Sequence, residues 1–281
     1  MSNKILIKKE LIPGQTSMLV LDCPQIAKKA KPGNFVILRI HEKGERIPLT
    51  IADTDKEAGT ITIVYLVVGK SSALLETLNE GDTVLDVCGP LGKPTHIEKS
   101  GTVICVGGGT GIAAMHHIAK GHHLAGNHVV AIVGARSENM LLFCTELGYF
   151  CPELLIATDD GSSGHKGFVT DLLRERLEQD KDVAEVVAIG PVPMMEAVAK
   201  VTEPFGVKTT VSLNSIMVDG VGMCGACRCS VGGETKFACV DGPEFDGHEV
   251  DFNELRMRLT QYKEQEDLSM TMFRSCSCHG E

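Results

Sequence analysis

The tightest constraint on this chain lies in the stretch Asp219-Gly-Val-Gly-Met-Cys224-Gly-Ala-Cys227-Arg-Cys229, with a further thiol at Cys239. Two residues separate Cys224 from Cys227 in a glycine-rich loop, and the run SVGGETKFACV that carries Cys239 reads as a short hairpin. This layout suits iron and sulfide better than a disulfide. Plant-type two-iron clusters use C-x4-C-x2-C and a distant fourth cysteine, because a tight loop must wrap the cluster while turning backbone N–H groups toward its sulfides. The first cysteine of that pattern is absent here. Asp219 holds its place, five residues before Cys224, and its carboxylate offers a harder oxygen to one iron. The favoured ligand set is therefore Asp219, Cys224, Cys227 and Cys239; the other takes Cys229 as the fourth ligand. A C-x2-C pair alone would also suit a four-ligand zinc knot. Gly220, Gly222 and Gly225 tip the reading toward a [2Fe-2S] cluster.

The rest of the composition narrows the setting. Eleven cysteines include five scattered singly, Cys23, Cys88, Cys105, Cys144 and Cys151, which fits a reducing compartment and small buried hydrophobes rather than a disulfide framework. No apolar run reaches the roughly 18 residues of a membrane span, and MSNKILIKKELIPG lacks a signal-peptide core, so the expectation is a cytoplasmic protein with no membrane partner. A net charge of −10, without a block of Lys or Arg, argues against a nucleic-acid partner.

Residues 1–97 read as short strands (KILIKKELI, SMLVLDC, NFVILRIH, TITIVYLVVG, DTVLDVCG) parted by Gly, Pro and charged turns, the pattern of a small antiparallel barrel. Residues 98–213 alternate strand and helix: TVICV with IAAMHHIAKGHHL, HVVAIVGA with ENMLLFCTELG, ELLIATDD with FVTDLLRERLEQ, EVVAIG with VPMMEAVAKVTEPFG, then KTTVSL. That rhythm predicts a doubly wound parallel sheet covered by helices. Residues 214–250 would form the cluster subdomain. In 251–281, DFNELRMRLTQYKEQED reads as a helix, and MFRSCSCHGE, with Cys276 and Cys278, as a frayed end.

Three further segments carry candidate ligand chemistry. Arg46-Ile-Pro-Leu-Thr50 places Pro48, Leu49 and Thr50 at a strand edge able to hold a flat polar ligand. Val64, Tyr65 and Leu66 end a strand before Gly69, Ser71 and Ser72, whose amides and hydroxyls at a helix start would suit a pyrophosphate. Each alone is also what an ordinary strand edge or helix cap looks like. In the sheet half, Gly107-Gly108-Gly109-Thr110-Gly111 follows the first strand, where glycines let backbone approach a phosphate. The acidic residue expected some 20 positions on is absent; the second strand ends at Ala135 and Arg136. Asp159, Gly190 and Pro191 lie at the carboxyl ends of later strands, where such sheets bind ligands. Of Met194 and Met195, at least one should be plain core. His116, His117, His122 and His123 lack the i,i+4 spacing of a helical metal pair.

A flavin-type barrel, a glycine-led nucleotide sheet and a C-terminal two-iron loop together resemble the ferredoxin–NADP reductase superfamily, in particular electron-transfer subunits of NAD-dependent dihydroorotate dehydrogenases, over residues 1 to about 266. Asp219 makes the chain more similar still to the small subunits of NADH-dependent ferredoxin:NADP+ oxidoreductases, the electron-bifurcating transhydrogenases, whose cluster has an aspartate ligand. The resemblance implies FAD held by the segments around Pro48–Thr50, Val64–Leu66 and Ser71–Ser72, and NAD(H) at the glycine turn. It also implies electron transfer from NADH through FAD and the cluster to a larger flavin and iron–sulfur subunit that binds NADP(H) and ferredoxin. One departure stands out: the arginine usually found directly before the proline is Ile47, and Arg46 comes one position early.

Overall fold

The computed structural model describes residues 3–275. Strands β1 (Ile5–Ile12), β2 (Thr16–Asp22), β3 (Phe35–Arg39), β4 (Arg46–Asp55), β5 (Thr60–Leu66) and β6 (Asp86–Leu91) form an antiparallel sheet in the order β1-β2-β5-β4-β3-β6. A short helix α1 (Pro24–Ala27) follows β2, and α2 (Lys70–Thr77) follows β5. Bonds from Ile5 N–H to the Asp82 carbonyl (2.8 Å) and from Val84 N–H to the Asn3 carbonyl (3.0 Å) tie β1 to the approach to β6 and close the barrel. Alternate residues point inward, so Leu19 with Leu21 and Ile61 with Ile63 are fully buried in its core. The segment Arg46 to Ile51 opens β4, which lies between β3 and β5 in the sheet.

The second half alternates as its sequence predicts. Its elements are β7 (Thr102–Gly108), α3 (Gly111–Leu124), β8 (His128–Ala135), α4 (Cys144–Gly148), β9 (Glu153–Thr158), β10 (His165–Lys166), α5 (Val169–Gln179), β11 (Val183–Ile189), α6 (Val192–Thr202) and β12 (Thr209–Ser212). Val103–Val106 and Val129–Val133 are apolar without interruption because β7 and β8 are covered on both faces, and all are fully buried. In α5, Val169, Leu173 and Leu177 recur every fourth residue and bury one stripe. The stretch ENMLLFCTELG is not one helix: a 3-10 turn over Glu138–Met140 is broken from α4 by Phe143, whose φ of 56° lies in the left-handed region.

The C-terminal part holds β13 (Arg228–Val231) and β14 (Glu234–Phe237), the expected hairpin, then β15 (Glu244–Asp246), α7 (Phe252–Leu259) and α8 (Lys263–Ser275). Strand β15 leaves the cysteine segment and pairs antiparallel with β12, extending the sheet to β10-β9-β8-β7-β11-β12-β15. The helix read from DFNELRMRLTQYKEQED is two helices, capped at its start by Asp251, whose carboxylate accepts the Glu254 N–H (2.9 Å). Helix α8 runs on through Met272 to Ser275, so that part of the tail is helical rather than frayed; Cys276 and Cys278 lie outside the described residues.

Candidate functional site

The carboxyl ends of β7, β8, β9 and β11 face the barrel across a cavity of about 830 Å³. Pro48, Leu49 and Thr50 of β4 line it with Val64, Tyr65 and Leu66 of β5. From the sheet come Gly108, Gly109, Thr110, Gly111, Ala135, Arg136, Asp159, Gly190 and Pro191, all the nucleotide candidates read from the sequence. The turn must be glycine where backbones touch: a Cβ on Gly111 would lie 2.5 Å from the Ile189 carbonyl oxygen and 2.8 Å from Gly190 Cα. Met194 lines the cavity while Met195 is fully buried core, the division expected of that pair.

Four barrel candidates are not brought there. Ser72 is spent on its own helix: its Oγ accepts the Val68 and Gly69 N–H groups (both 3.0 Å). Ser71 hydrogen-bonds Glu45 beside a small separate recess, and neither Arg46 nor Gly69 lines the large cavity. Tyr65 contributes its ring, since its hydroxyl donates to Glu76 (2.6 Å), and burial followed by that carboxylate pushes its pKa up.

Sequence reasoning missed Thr16, Phe168 and the segment Ser212–Ser215 with Met217, all of which line the cavity. The one available signal was position, since residues 212–217 follow the carboxyl end of the last parallel strand. Thr16 Oγ1 and Ser215 Oγ are buried without a partner among the described residues. Orphaned hydroxyls beside a large cavity fit a polar ligand that supplies their missing bonds.

In the cysteine loop the four favoured ligands form two pairs. Cys227 Sγ lies 3.1 Å from Cys239 Sγ, and Asp219 accepts the N–H of Cys224 (2.7 Å) and of Val221 (2.9 Å). The Val221 bond leads those that hold the Asp219 carboxyl below its usual range. Gly220, Gly222 and Gly225 all have positive φ (74°, 84°, 69°), the left-handed bends that a loop needs to turn N–H groups inward. Cys229 is buried in the same core cluster as Cys227 and Cys239, but its thiol faces the Lys236 carbonyl of β14 (3.8 Å). Among the described residues no three His, Cys, Asp or Glu side chains converge on one metal-sized point. The donor chemistry, three thiols and one carboxylate on a single loop and hairpin, fits an iron–sulfur cluster that would draw the two pairs together. The buried histidines are engaged inside the protein: His117 Nδ1 meets the Ile51 carbonyl (3.0 Å), and His116 meets the rings of Phe143 and Phe150 tilted and edge-on.

A dihydroorotate dehydrogenase B (NAD(+)) electron transfer subunit homolog from Thermotoga maritima is 48% identical over 268 residues, 95% of this chain and 94% of the relative. The chain belongs to the dihydroorotate dehydrogenase B electron transfer subunit family. That family's subunit from Bacillus caldolyticus is 37% identical over 253 residues, 86% of this chain and 95% of its own length. Residues 214–251 match the iron-sulfur cluster binding domain of dihydroorotate dehydrogenase B, and residues 105–200 match the oxidoreductase NAD-binding domain. A chain of the NADH-dependent reduced ferredoxin-NADP oxidoreductase superposes with a TM-score of 0.92 at 47% identity, covering 98% of this chain and 99% of that one. A ferredoxin NADP+ reductase from Neisseria gonorrhoeae, solved with FAD and NADP bound, shares the fold at 18% identity and a TM-score of 0.58, over 73% of this chain and 91% of its own. As an electron transfer subunit of this family, the chain combines a ferredoxin-reductase fold with NAD-binding and iron–sulfur binding domains. No helix among the described residues is long and apolar enough to cross a membrane.

Proposed function

We propose that this chain passes electrons between NAD(H), FAD and a [2Fe-2S] cluster to a larger flavin and iron–sulfur partner subunit that binds NADP(H) and ferredoxin, as a cytoplasmic heterodimer. The observation that carries this reading is the single cavity shared by the barrel strands β4 and β5 and the glycine turn of the sheet, which lets two extended cofactors meet end to end. When bound, FAD exchanges electrons in pairs with NADH, and the cluster carries them singly to a partner.

The residues have distinct tasks. Pro48 and Leu49 would offer an apolar wall to a flat ring, Thr50 would offer it a hydroxyl, and Thr16 and Ser215 would offer two hydroxyls that no other described residue engages. Gly108 to Gly111 line the cavity at the start of α3, where they would hold a pyrophosphate. Asp159 lines the far end with no hydrogen bond or ion pair to its carboxylate among the described residues, whereas Asp160 is engaged by Ser162 Oγ (2.6 Å). A free carboxylate there would accept ribose hydroxyls and repel a 2′-phosphate, while Arg136, which also lines the cavity, would attract one; the choice of NAD(H) follows the NAD-binding domain matched by residues 105–200 and the NAD(+)-named subunits of the family. Asp219, Cys224, Cys227 and Cys239 would hold the cluster.

The test is rapid mixing of the flavin-loaded protein with each nucleotide. NADH should reduce the flavin far faster than NADPH, and equal rates would sink the assignment. A second reading keeps the chemistry and changes the partner to a dihydroorotate-oxidising subunit, favoured by the name carried by the Thermotoga relative. Orotate formation by the purified complex would select it.

A further inference from the structure

Helix α3 touches both halves of the cavity. Its first residue, Gly111, is in the nucleotide turn, and its later turns lie against the barrel strand that carries Pro48, Leu49 and Thr50. The face that meets the barrel is periodic. Ala113 packs with Ala52 and Val64, His117 meets the Ile51 carbonyl through Nδ1 (3.0 Å), and Lys120 Nζ holds both oxygens of Asp53 (2.9 and 2.8 Å). Spacings of four and three residues keep these three side chains on one stripe of the helix. The next residue, Gly121, comes so close to the barrel side that a Cβ would lie 2.6 Å from Ile97 Cδ1 and 3.0 Å from Pro32 Cγ.

The receiving strand is irregular at this place. The register between β4 and β5 slips between Ile51 and Asp53, while on the β3 side the pairing runs on regularly, the Ile51 N–H donating to the Asn34 carbonyl (3.1 Å). A slipped ladder leaves a strand free to bend and twist. His117 and Lys120 clamp that point from the other domain. Burial, the leading cause, holds the His117 imidazole below its ordinary value, so it stays neutral and Nδ1–H donates to the carbonyl. Asp53 shows a contest: burial works to raise its carboxyl, but the Lys120 hydrogen bond and charge leave it lowered overall.

We infer that the His117–Ile51 and Lys120–Asp53 contacts make α3 the gauge of the cavity, and that His117 and Lys120 are positioning residues that set the separation between nicotinamide and flavin. Neither side chain lines the cavity, so both act through β4 and through the glycine turn. The inference rests on the proposed NADH-to-flavin reading, and it adds what holds the two cofactors in reach. Reacting atoms must approach to roughly 3–3.5 Å, and a misplacement of about 1 Å costs on the order of a hundredfold in rate.

The test uses the full chain with its flavin and with its partner if the two purify together, as wild type, Lys120→Met, His117→Gln and the double variant His117→Phe with Lys120→Met. Two readouts are taken. Amide hydrogen exchange should quicken in the double variant at residues 51–54 and 117–121, while Val103–Val106 and Val129–Val133 stay protected. At saturating NADH, flavin reduction should slow by on the order of ten- to a hundredfold in the double variant, with NADH affinity and flavin content as in wild type. His117→Gln keeps an N–H donor and should return most of the rate. Unchanged exchange at 51–54 and 117–121 overturns the inference, as does a slower reduction fully accounted for by lost flavin or weakened NADH binding. Lys120→Met removes only a partly exposed ion pair, so it reads the same two quantities if the double variant fails to fold. If NADH leaves the wild-type flavin oxidised, the functional reading fails by itself and the exchange result alone decides whether the clamp exists.

Discussion

Three glycines of one turn should respond to alanine in three different ways, and the ranking follows from what each new Cβ meets. At Gly111 it would lie 2.5 Å from the Ile189 carbonyl oxygen and 2.8 Å from Gly190 Cα, both backbone atoms. Neither can swing aside, so the start of α3 must lift from the end of β11. Overpacking of this kind costs about 1–3 kcal/mol in stability. The lift also displaces the amides facing the cavity, and about 1 Å there weakens NADH-driven flavin reduction on the order of a hundredfold. At Gly108 the nearest atom is Met194 Sδ, also at 2.5 Å, but that is the middle of a flexible side chain at the cavity wall. Met194 can change rotamer, and the remaining neighbour, Pro191 Cδ at 3.2 Å, need give only a few tenths of an ångström, so Gly108→Ala should cost about 1 kcal/mol. At Gly109 a Cβ meets nothing within 4 Å, yet φ is +55°, so the cost is backbone strain of about 1–2 kcal/mol. Chemical denaturation and NADH titration of the three variants measure this. Gly111→Ala should be worst by both, and Gly108→Ala closest to wild type by stability. A Gly111→Ala protein as stable as wild type, with equal NADH affinity, would refute the close-approach argument.

Other consequences are sharper in sign than in size. Glu244 on β15 accepts from Thr95 Oγ1 (2.6 Å) where barrel and sheet meet, and burial, with Glu185 adding to it, raises its carboxyl from the usual 4.5 to about 7 despite that bond. A carboxyl raised on folding stabilises the protein at low pH and loses that contribution as pH rises from about 4.5 through about 7. Denaturation midpoints at pH 5 and pH 8 should therefore fall more steeply for wild type than for Glu244→Gln, which cannot ionise; parallel profiles would contradict this. Cys239→Ser should strip iron from the purified chain, whereas Cys229→Ser, whose thiol is turned to the Lys236 carbonyl, should keep it. Iron retained in the first and lost in the second would restore Cys229 to the ligand set.

Legibility followed how local the cause was. The glycine turn stood out because backbone crowding at Gly111 and a positive φ at Gly109 both favour glycine, and every nucleotide candidate read from it and from the strand ends lines the cavity. Ser72 was misleading for an equally local reason, since its hydroxyl at the helix start serves its own cap, whereas the Ser71 hydroxyl is taken by Glu45, 26 residues away in the chain. What the sequence concealed depends on distant partners. Three residues, Glu244–Asp246, become a sheet strand only because β12 offers an edge. Phe143 breaks a good helical pattern from the left-handed region. His117 and Lys120 look like ordinary members of an amphipathic helix until β4 is seen beneath them.

The central claim is best tested by the absorption and EPR spectra of the anaerobically purified chain, with flavin and metal quantified, before and after NADH. The account predicts bound FAD, iron rather than zinc, and a reduced two-iron signal that appears with NADH and shifts in Asp219→Cys. Zinc without flavin, or a cluster and flavin that NADH leaves oxidised, would contradict it.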